Sequence, residues 1–185
     1  MKTNILIFPT DTVYGIGAKV NDQNSINKIY EIKGRNFNKP LVLLSNDFES
    51  FREYVMIDKR LVTLAKSFWP GALTLIVKTS ESYRMKTGHE TLGIRIPNHK
   101  LALKILKENG PMKVTSVNDS NDAPLNDYET IKNKYGHYGF KIYKKSLDNM
   151  GVASTVLDLT GDLKILREGL IKLEEIKSVL KGENL

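Results

Sequence analysis

The sequence has no cysteine, only three histidines and one tryptophan. The missing cysteine excludes structural disulfides, thiolate nucleophiles and cysteine-ligated zinc, and it is typical of a reducing compartment. The first residues, MKTNILIFPTD, contain an apolar run too short for a signal-peptide core or a membrane span. We therefore expect a cytoplasmic protein with no membrane segment.

Motifs for metal binding and for common nucleotide sites are also missing. His89, His99 and His137 form no i,i+4 pair and have no carboxylate at ligand spacing, so we expect no metal site built by the protein. The sequence contains no GxSxG, no Walker GxxxxGK[ST] and no complete GxGxxG, although YGIGAK has the first two glycines of the last pattern. Any nucleotide would have to be held in another way.

The protein is basic. The chain has 28 Lys and Arg against 21 Asp and Glu, a formal net charge of +7 and a pI near 9.4. This sign is expected of a protein that handles nucleotides or RNA, although a coding bias toward Lys and Asn would give the same excess. With 185 residues and 41% apolar content, the chain is long enough for one sizeable core, and we expect a single domain over residues 1–185.

Segments of strand and helix character alternate to the end of the chain, which predicts the α/β class. We expect a twisted mixed sheet with flanking helices around a basic cavity. The predicted strands are 4–8, 41–45, 72–77, 91–97, 113–117, 141–145, 154–159 and 163–167. The predicted helices are 21–34, 47–55, 58–69, 98–110 and 173–181.

Four loops that follow predicted strands or helices are rich in hydroxyls, amides and cations: PTDTVYGIG, KGRNFNKP, TSVNDS and LREG. Ligands in open α/β sheets bind outside strand ends, so these loops are candidate site segments. Each also has a purely structural interpretation. Lys33 suits a helix C-terminus, Ser116 and Asn118 suit a turn, and Thr10 and Thr12 could satisfy backbone groups after Pro9.

Six segments in order, FPTDTVYGIGA, IYEIKGRNFNKPL, WPGALTLIV, LGIRIPNH, TSVNDS and STVLDLTGDLKILREG, closely resemble the YrdC-like threonylcarbamoyl-adenylate synthases. The resemblance spans nearly the whole chain. Its most specific signature is Lys-x-Arg followed far downstream by Ser-x-Asn, met here by Lys33, Arg35, Ser116 and Asn118. The family implies the YrdC-like fold and the first step of N6-threonylcarbamoyladenosine synthesis on tRNA.

The reaction that the resemblance implies condenses L-threonine, bicarbonate or CO2, and ATP to threonylcarbamoyl-AMP and pyrophosphate, with Mg2+ accompanying ATP. A carbamate formed on the threonine amine is already ionised, so its attack on the α-phosphate needs no strong protein base. The charge of the triphosphate must be neutralised. Lys33, Arg35 and Lys39 would supply positive charge for this. We therefore expect Lys33→Ala and Arg35→Ala to lower activity strongly and stability only slightly.

The resemblance also implies the site residues. The predicted catalytic residues are Lys33, Arg35, Ser116 and Asn118. The predicted ATP-binding residues are Arg35, Lys39, Thr91, Val114, Ser116, Asn118 and Arg167. The predicted threonine-binding residues are Thr10, Thr12, Arg95 and Ser154. The fork of Arg95 suits a substrate carboxylate, and the alternative is an inward strand residue paired with a core carboxylate.

Asn121 departs from the family, which usually has Gly at that position. The implied partners are tRNA and a downstream threonylcarbamoyl-transferase complex. Two alternatives stay open: an RNA-binding module of the same fold without adenylate synthesis, and a relative of the carbamoyl-transfer units found in hydrogenase-maturation proteins. The RNA-binding module is disfavoured because only Phe37 offers an aromatic ring among the cationic loops. The carbamoyl-transfer relative is disfavoured because such units normally belong to longer chains.

Overall fold

The structure, a computed structural model, describes residues 4–119, 122–144 and 151–182. Its strands are β1 (Leu6–Phe8), β2 (Gly15–Lys19), β3 (Val42–Leu44), β4 (Leu73–Lys78), β5 (Thr91–Arg95), β6 (Met112–Ser116), β7 (Lys141–Ile142), β8 (Thr155–Asp158) and β9 (Lys164–Arg167). Its α-helices are α1 (Gln23–Lys33), α2 (Lys59–Phe68), α3 (Glu81–Thr87), α4 (Lys100–Asn109), α5 (Tyr128–Tyr135) and α6 (Leu173–Gly182). Within these described ranges, no helix has the length and apolar character that crossing a membrane requires.

The described strands form one mixed sheet in the order β7-β1-β2-β6-β3-β5-β4-β8-β9. β1 pairs with β7, β3 with β5 and β4 with β8 in parallel, while the other neighbours are antiparallel. The predicted mixed α/β fold is therefore confirmed.

The side chains of β4 alternate between the two faces of this sheet. Leu73, Leu75 and Val77 belong to the core cluster that also contains buried residues of α2 and α6. Thr74 and Ile76 point the other way and line a cavity. On that second face, α4 covers part of the sheet through a cluster with Met112 and Val114 of β6. The part of the face that α4 leaves uncovered is the floor of the cavity.

The end of α1 fixes where the predicted cationic loop begins. The Asp22 side chain accepts a hydrogen bond from the Ser25 amide at the start of the helix, as its cap position predicts. Gly34 ends the helix in the left-handed region, with φ 55°. The Arg35 amide then donates to the Tyr30 carbonyl at 3.0 Å, so the chain turns sharply and Arg35 leaves the helix toward the cavity.

Several predicted elements were wrong. The segment 47–55 contains only a short 3-10 turn, Glu49–Phe51, instead of an α-helix. Sequence reasoning also missed α3 and α5. Because α3 buries none of its residues, it has no apolar stripe to reveal it. The predicted strand 141–145 is shorter, with Lys145 outside the described residues.

β2 was missed because glycines replace two of its apolar positions. A Cβ at Gly15 or at Gly17 would lie 2.7 Å from a methyl group of Val114, so β2 and β6 can approach this closely only without those side chains. The two glycines in YGIGAK therefore serve strand packing.

Candidate active site

A cavity of about 290 Å³ lies on the open face of the sheet, between loops that are far apart in the sequence. The loop after β1, the loop after α1, the end of β6 and the β8–β9 hairpin all contribute walls. The predicted convergence of the loops at Thr10, Arg35 and Ser116 is confirmed. Eight predicted site residues line the cavity: Thr10, Thr12, Arg35, Arg95, Val114, Ser116, Ser154 and Arg167.

Arg95 is a buried cation whose hydrogen bonds fix it in the cavity wall. Its Nε donates to the Gly71 carbonyl at 2.8 Å and its Nη1 donates to Thr12 Oγ1 at 2.8 Å. Its Nη2 pairs with Asp11 Oδ1 at 2.5 Å. These contacts agree with the alternative interpretation, in which Arg95 is an inward-facing strand residue paired with a core carboxylate. The predicted contact with a threonine carboxylate stays a prediction.

Asp11 is a site residue that sequence reasoning missed. Its sequence neighbours Thr10 and Thr12 were candidates, but nothing in the sequence pairs it with an arginine 84 positions away. Thr10 Oγ1 donates to the Val13 carbonyl at 2.7 Å and lies 3.0 Å from Thr12 Oγ1. The turn after β1 is therefore held by its own hydroxyls as well as by Arg95.

A second group of hydroxyls lies beside Arg95 on the same face of the sheet, where β4 meets β8, because the β4–β5 register places Thr74 next to Arg95. Thr74 Oγ1 and Ser154 Oγ lie 2.8 Å apart, and both residues are buried. Arg167 Nη2 donates to Ser154 Oγ at 3.1 Å, and its Nε donates to the Ser154 carbonyl at 3.0 Å. Thr74 was not predicted, because it stands inside a continuous apolar strand. This wall places hydroxyls next to an arginine.

Arg35 reaches the cavity from the loop after α1. Its Nε donates to the Lys39 carbonyl at 2.9 Å, and its Nη2 donates to the Pro40 carbonyl at 3.4 Å. No carboxylate of the described chain forms an ion pair with it. Its positive charge is thus available to an anion in the cavity.

Lys33 does not line the cavity, which corrects the prediction that it faces the triphosphate. Its side chain is buried, and its Nζ donates to the Ser116 carbonyl at 2.7 Å, to Asn118 Oδ1 at 3.1 Å and to the Asn118 carbonyl. Burial, reinforced by the nearby charge of Arg35, lowers the pKa of Lys33 to about 8. Lys33 is therefore a buried anchor for the loop after β6.

Asn118 also holds this loop rather than lining the cavity. Its Oδ1 accepts from Ser116 Oγ at 2.6 Å, and its Nδ2 donates to the carbonyls of Asp119 and Asp122, both at 2.8 Å. With Lys33 on the same Oδ1, every polar atom of the Asn118 amide has a partner. Ser116 is thus the member of the Ser-x-Asn pair that reaches the cavity.

Two other predicted residues lie outside the cavity wall. Lys39 is exposed, and it contributes its main-chain oxygen to Arg35. Thr91 begins β5, opposite Lys78 and four residues before Arg95, so about 13 Å of strand separates it from that arginine. The geometry does not support the predicted nucleotide contact of Thr91. Asn121 lies outside the described residues.

The charge of the cavity favours anions. Three arginines line it, and no Asp or Glu stands among its described lining residues. Within the described parts of the chain, no group of three or more His, Cys, Asp or Glu could hold a metal ion. The guanidinium groups and hydroxyls of this cavity can therefore bind a polyanion.

Comparison with known proteins defines the family. Residues 1–169 match the family model Sua5/YciO/YrdC, which is described as "Telomere recombination". The chain belongs to this family. It is 35% identical over 185 residues to the threonylcarbamoyl-AMP synthase of Bacillus subtilis, covering 97% of this chain and 54% of that protein. It is 37% identical over 182 residues to the threonylcarbamoyl-AMP synthase of Pyrococcus abyssi, covering 95% of this chain and 53% of that protein. The chain thus spans about half the length of these relatives.

Solved structures agree with this assignment. P. abyssi Sua5 complexed with L-threonine superposes with a TM-score of 0.86 at 34% identity, over 96% of this chain and 54% of that one. Escherichia coli YciO superposes with a TM-score of 0.82 at 25% identity, over 94% of this chain and 87% of that one. The fold is therefore that of the Sua5 and YciO structures.

Proposed function

We propose that this chain is an L-threonylcarbamoyl-AMP synthase, which forms threonylcarbamoyl-AMP and pyrophosphate from L-threonine, bicarbonate or CO2, and ATP. The observation that carries the proposal is one cavity that brings together three arginines and two groups of hydroxyls from distant parts of the chain. The names of the B. subtilis and P. abyssi relatives, and the threonine complex of P. abyssi Sua5, support the choice of reaction.

The missing acid–base constellation fits this chemistry. The neutral threonine amine adds to CO2 and gives up one proton to water, which forms a carbamate anion, and the carbamate oxygen then attacks the α-phosphorus of ATP as pyrophosphate leaves. The nucleophile is already an anion, so the protein need not remove a proton from it. What the protein supplies is orientation and positive charge at the phosphates. Arg35 and Arg167 stand on the cavity wall and can supply that charge.

The hydroxyls and Arg95 would hold threonine. Arg95 presents a fixed positive charge, and Thr12 lies beside it through the Nη1 hydrogen bond. A substrate carboxylate near Arg95 would share or displace the contact with Asp11. Ser154 and Thr74 provide further hydroxyl partners beside Arg95.

Lys33 and Asn118 act through the loop that carries Ser116. Lys33 binds the carbonyls of Ser116 and Asn118, and Asn118 Oδ1 accepts from Ser116 Oγ. These contacts fix the Ser116 hydroxyl at the end of β6, where it faces the cavity. Lys33 and Asn118 are therefore positioning residues in this proposal.

Mg2+ would enter with ATP. The described residues offer no cluster of three metal-binding side chains, so the residues present fit a metal carried by the phosphates better than one held by the protein. Bound there, Mg2+ would supply positive charge to the β- and γ-phosphates. The arginines would remain the protein's own contribution.

The product would serve N6-threonylcarbamoyladenosine synthesis in tRNA. A separate threonylcarbamoyl-transferase complex in the cytoplasm would consume it. The RNA-binding alternative is less well supported, because Phe37, the aromatic ring among the cationic loops, does not line this cavity. An RNA-binding role also leaves the buried hydroxyls of the cavity unexplained.

Mass spectrometry of the product tests the proposal. The protein would be incubated with ATP, Mg2+, L-threonine and either ordinary or 13C-labelled bicarbonate. We expect an adduct of AMP with threonylcarbamate whose mass rises by about one unit with the label, and none when threonine is omitted. Conversion of ATP without a labelled adduct would reject the proposed reaction.

A further inference from the structure

A second cavity, of about 450 Å³, lies on the opposite face of the sheet from the candidate active site. It is formed by α1, the loop after α1, α3 and β6. Val114 and Ser116, on one face of β6, line the first cavity, and Thr115 also reaches its wall. Lys113 lies on the other face of the strand and lines the second cavity. We refer to this second cavity as the Lys113 pocket.

Lys113 is the unusual group in this pocket. Only 7% of the residue is exposed. No hydrogen bond or ion pair joins its Nζ to any residue that the structure describes, and the Nζ lies over the Tyr83 ring, 5.3 Å from the centroid. Its ammonium opens onto the cavity, and besides the one ring face it depends on solvent or on a ligand for acceptors.

The residues around Lys113 favour a ligand with negative charge. Lys86 and His89 also line the pocket, and no Asp or Glu stands among its described lining residues. Burial and the charge of Lys113 together lower the pKa of His89, so this histidine adds a neutral polar ring at neutral pH. The pocket therefore offers two ammonium groups to an anion and no competing carboxylate.

The aromatic residues of the pocket favour a ligand with a flat apolar part. Tyr30, Phe37 and Tyr83 line the same pocket, and Phe37 stacks on Tyr30 while remaining 60% exposed. Rings of this kind favour a flat apolar body beside the charged group. The volume lies within the usual range of small-molecule sites, about 300–1,000 Å³.

We propose that the Lys113 pocket is a second binding site, for a small planar molecule that bears one anionic group, a carboxylate or a phosphate, at Lys113 Nζ. The anion supplies the acceptors that the buried ammonium lacks, and the planar part packs on the tyrosine and phenylalanine rings. The two cavities share Pro40 and Leu41 in their walls, at the end of the loop that carries Arg35. A ligand here would thus contact the base of that loop.

Isothermal titration calorimetry with three probes tests the proposal: phenyl phosphate, benzoate and inorganic phosphate. We expect saturable one-site binding of phenyl phosphate or benzoate, whichever anion the pocket prefers, and weaker binding of inorganic phosphate, which has no ring. Lys113→Met should weaken binding at least about tenfold, because the charged contact is lost. Lys86→Met, on the exposed side of α3, should weaken it by a smaller factor.

Two controls separate this pocket from other anion sites. Lys78→Met removes an exposed strand lysine outside the pocket, and Arg167→Ala removes a cation of the first cavity; both should bind the probe as the unaltered protein does. The proposal is overturned if none of the probes binds saturably, or if Lys113→Met binds like the unaltered chain. If Lys113→Met does not fold, an unchanged affinity of Lys86→Met, or loss of binding in Arg167→Ala, overturns it instead.

Discussion

Lys33 Nζ, at the end of α1, donates a 2.7 Å hydrogen bond to the main-chain oxygen of Ser116, at the end of β6. Asn118 supplies two further acceptors to the same ammonium. This one side chain therefore ties the two most specific motifs of the sequence together, through main-chain groups of the loop after β6.

Lys33→Ala should destabilise the protein, contrary to the expectation from the sequence that this change leaves stability nearly intact. It leaves the carbonyls of Ser116 and Asn118 without the Lys33 donor, while Asn118 Oδ1 keeps its bond from Ser116 Oγ, and the loss should lower the free energy of unfolding by about 2 kcal/mol. For a chain of this size that corresponds to a fall in melting temperature of roughly 4–8 °C. Lys28→Ala, on the same helix, removes only an exposed pair with Glu31 and should cost under about 0.5 kcal/mol. Equal melting temperatures for the two variants would show that Lys33 does not hold the loop.

Asp11→Asn should also destabilise the fold, because Arg95 then stays buried without a charged partner. Both side chains of the pair are largely buried, at 7% and 14% exposed. Removing one partner of such a pair typically costs about 3–5 kcal/mol, and the remaining amide oxygen should place the loss near the lower end. Urea denaturation gives the difference, with Asp162→Asn as an exposed control. An unchanged unfolding midpoint for Asp11→Asn would mean that the pair is dispensable to the fold.

Amino-acid selectivity should follow the hydroxyls of the cavity. Serine lacks only the methyl group of threonine, a loss of roughly 1–3 kcal/mol, whereas valine lacks the hydroxyl and leaves a polar partner unpaired. ATP–pyrophosphate exchange should therefore be fastest with threonine, slower with serine and slowest with valine. Comparable rates with valine and threonine would refute hydroxyl recognition by Thr12, Thr74 or Ser154.

Lys113 should impose a pH dependence on stability. Burial lowers its pKa to about 8 from the ordinary 10.5, so between these values the unfolded chain binds more protons and stability rises with pH. The neighbouring charge is that of Lys86, whereas His89, whose pKa is lowered, stays a neutral ring, and burial raises the pKa of Tyr30 and of Tyr83 above their ordinary value. Between about pH 7.5 and pH 9.5, the unaltered protein should gain up to roughly 2 kcal/mol relative to Lys113→Met.

Chemical denaturation at several pH values measures this difference. Lys33, whose pKa is also lowered to about 8, is present in both proteins, so its contribution to the pH dependence is the same in each. Parallel stability curves for the two proteins would contradict the buried, charged state of Lys113.

Local sequence signals predicted the elements that position the site. Asp22 and Gly34 mark the ends of α1, and both act as caps in the structure. β2 could not be predicted in the same way, because Gly15 and Gly17 are there for the close approach of Val114, a contact made about a hundred residues away. Helix α3 was missed because it buries nothing.

Within the site, the sequence identified the loops but not every side chain that turns inward. Arg35 and Ser116 share the cavity, as their motifs predict. Lys33 belongs to the same motif, yet it turns away because the loop after β6 offers it three acceptors. Asp11 and Thr74 were missed, since their partners, Arg95 and Ser154, lie about eighty residues away and only the fold brings them into contact.

The most direct test of the account is the initial rate of threonine-dependent pyrophosphate release by Arg35→Ala, with the melting temperature measured on the same preparation. Arg35 lines the cavity and binds two carbonyls of its own loop, so its loss should lower the rate about 10²- to 10³-fold. The same loss should move melting by only about 2–4 °C. Lys39→Ala, which removes an exposed side chain from the same loop, should reduce the rate far less. A rate for Arg35→Ala close to that of the unaltered protein would contradict the account.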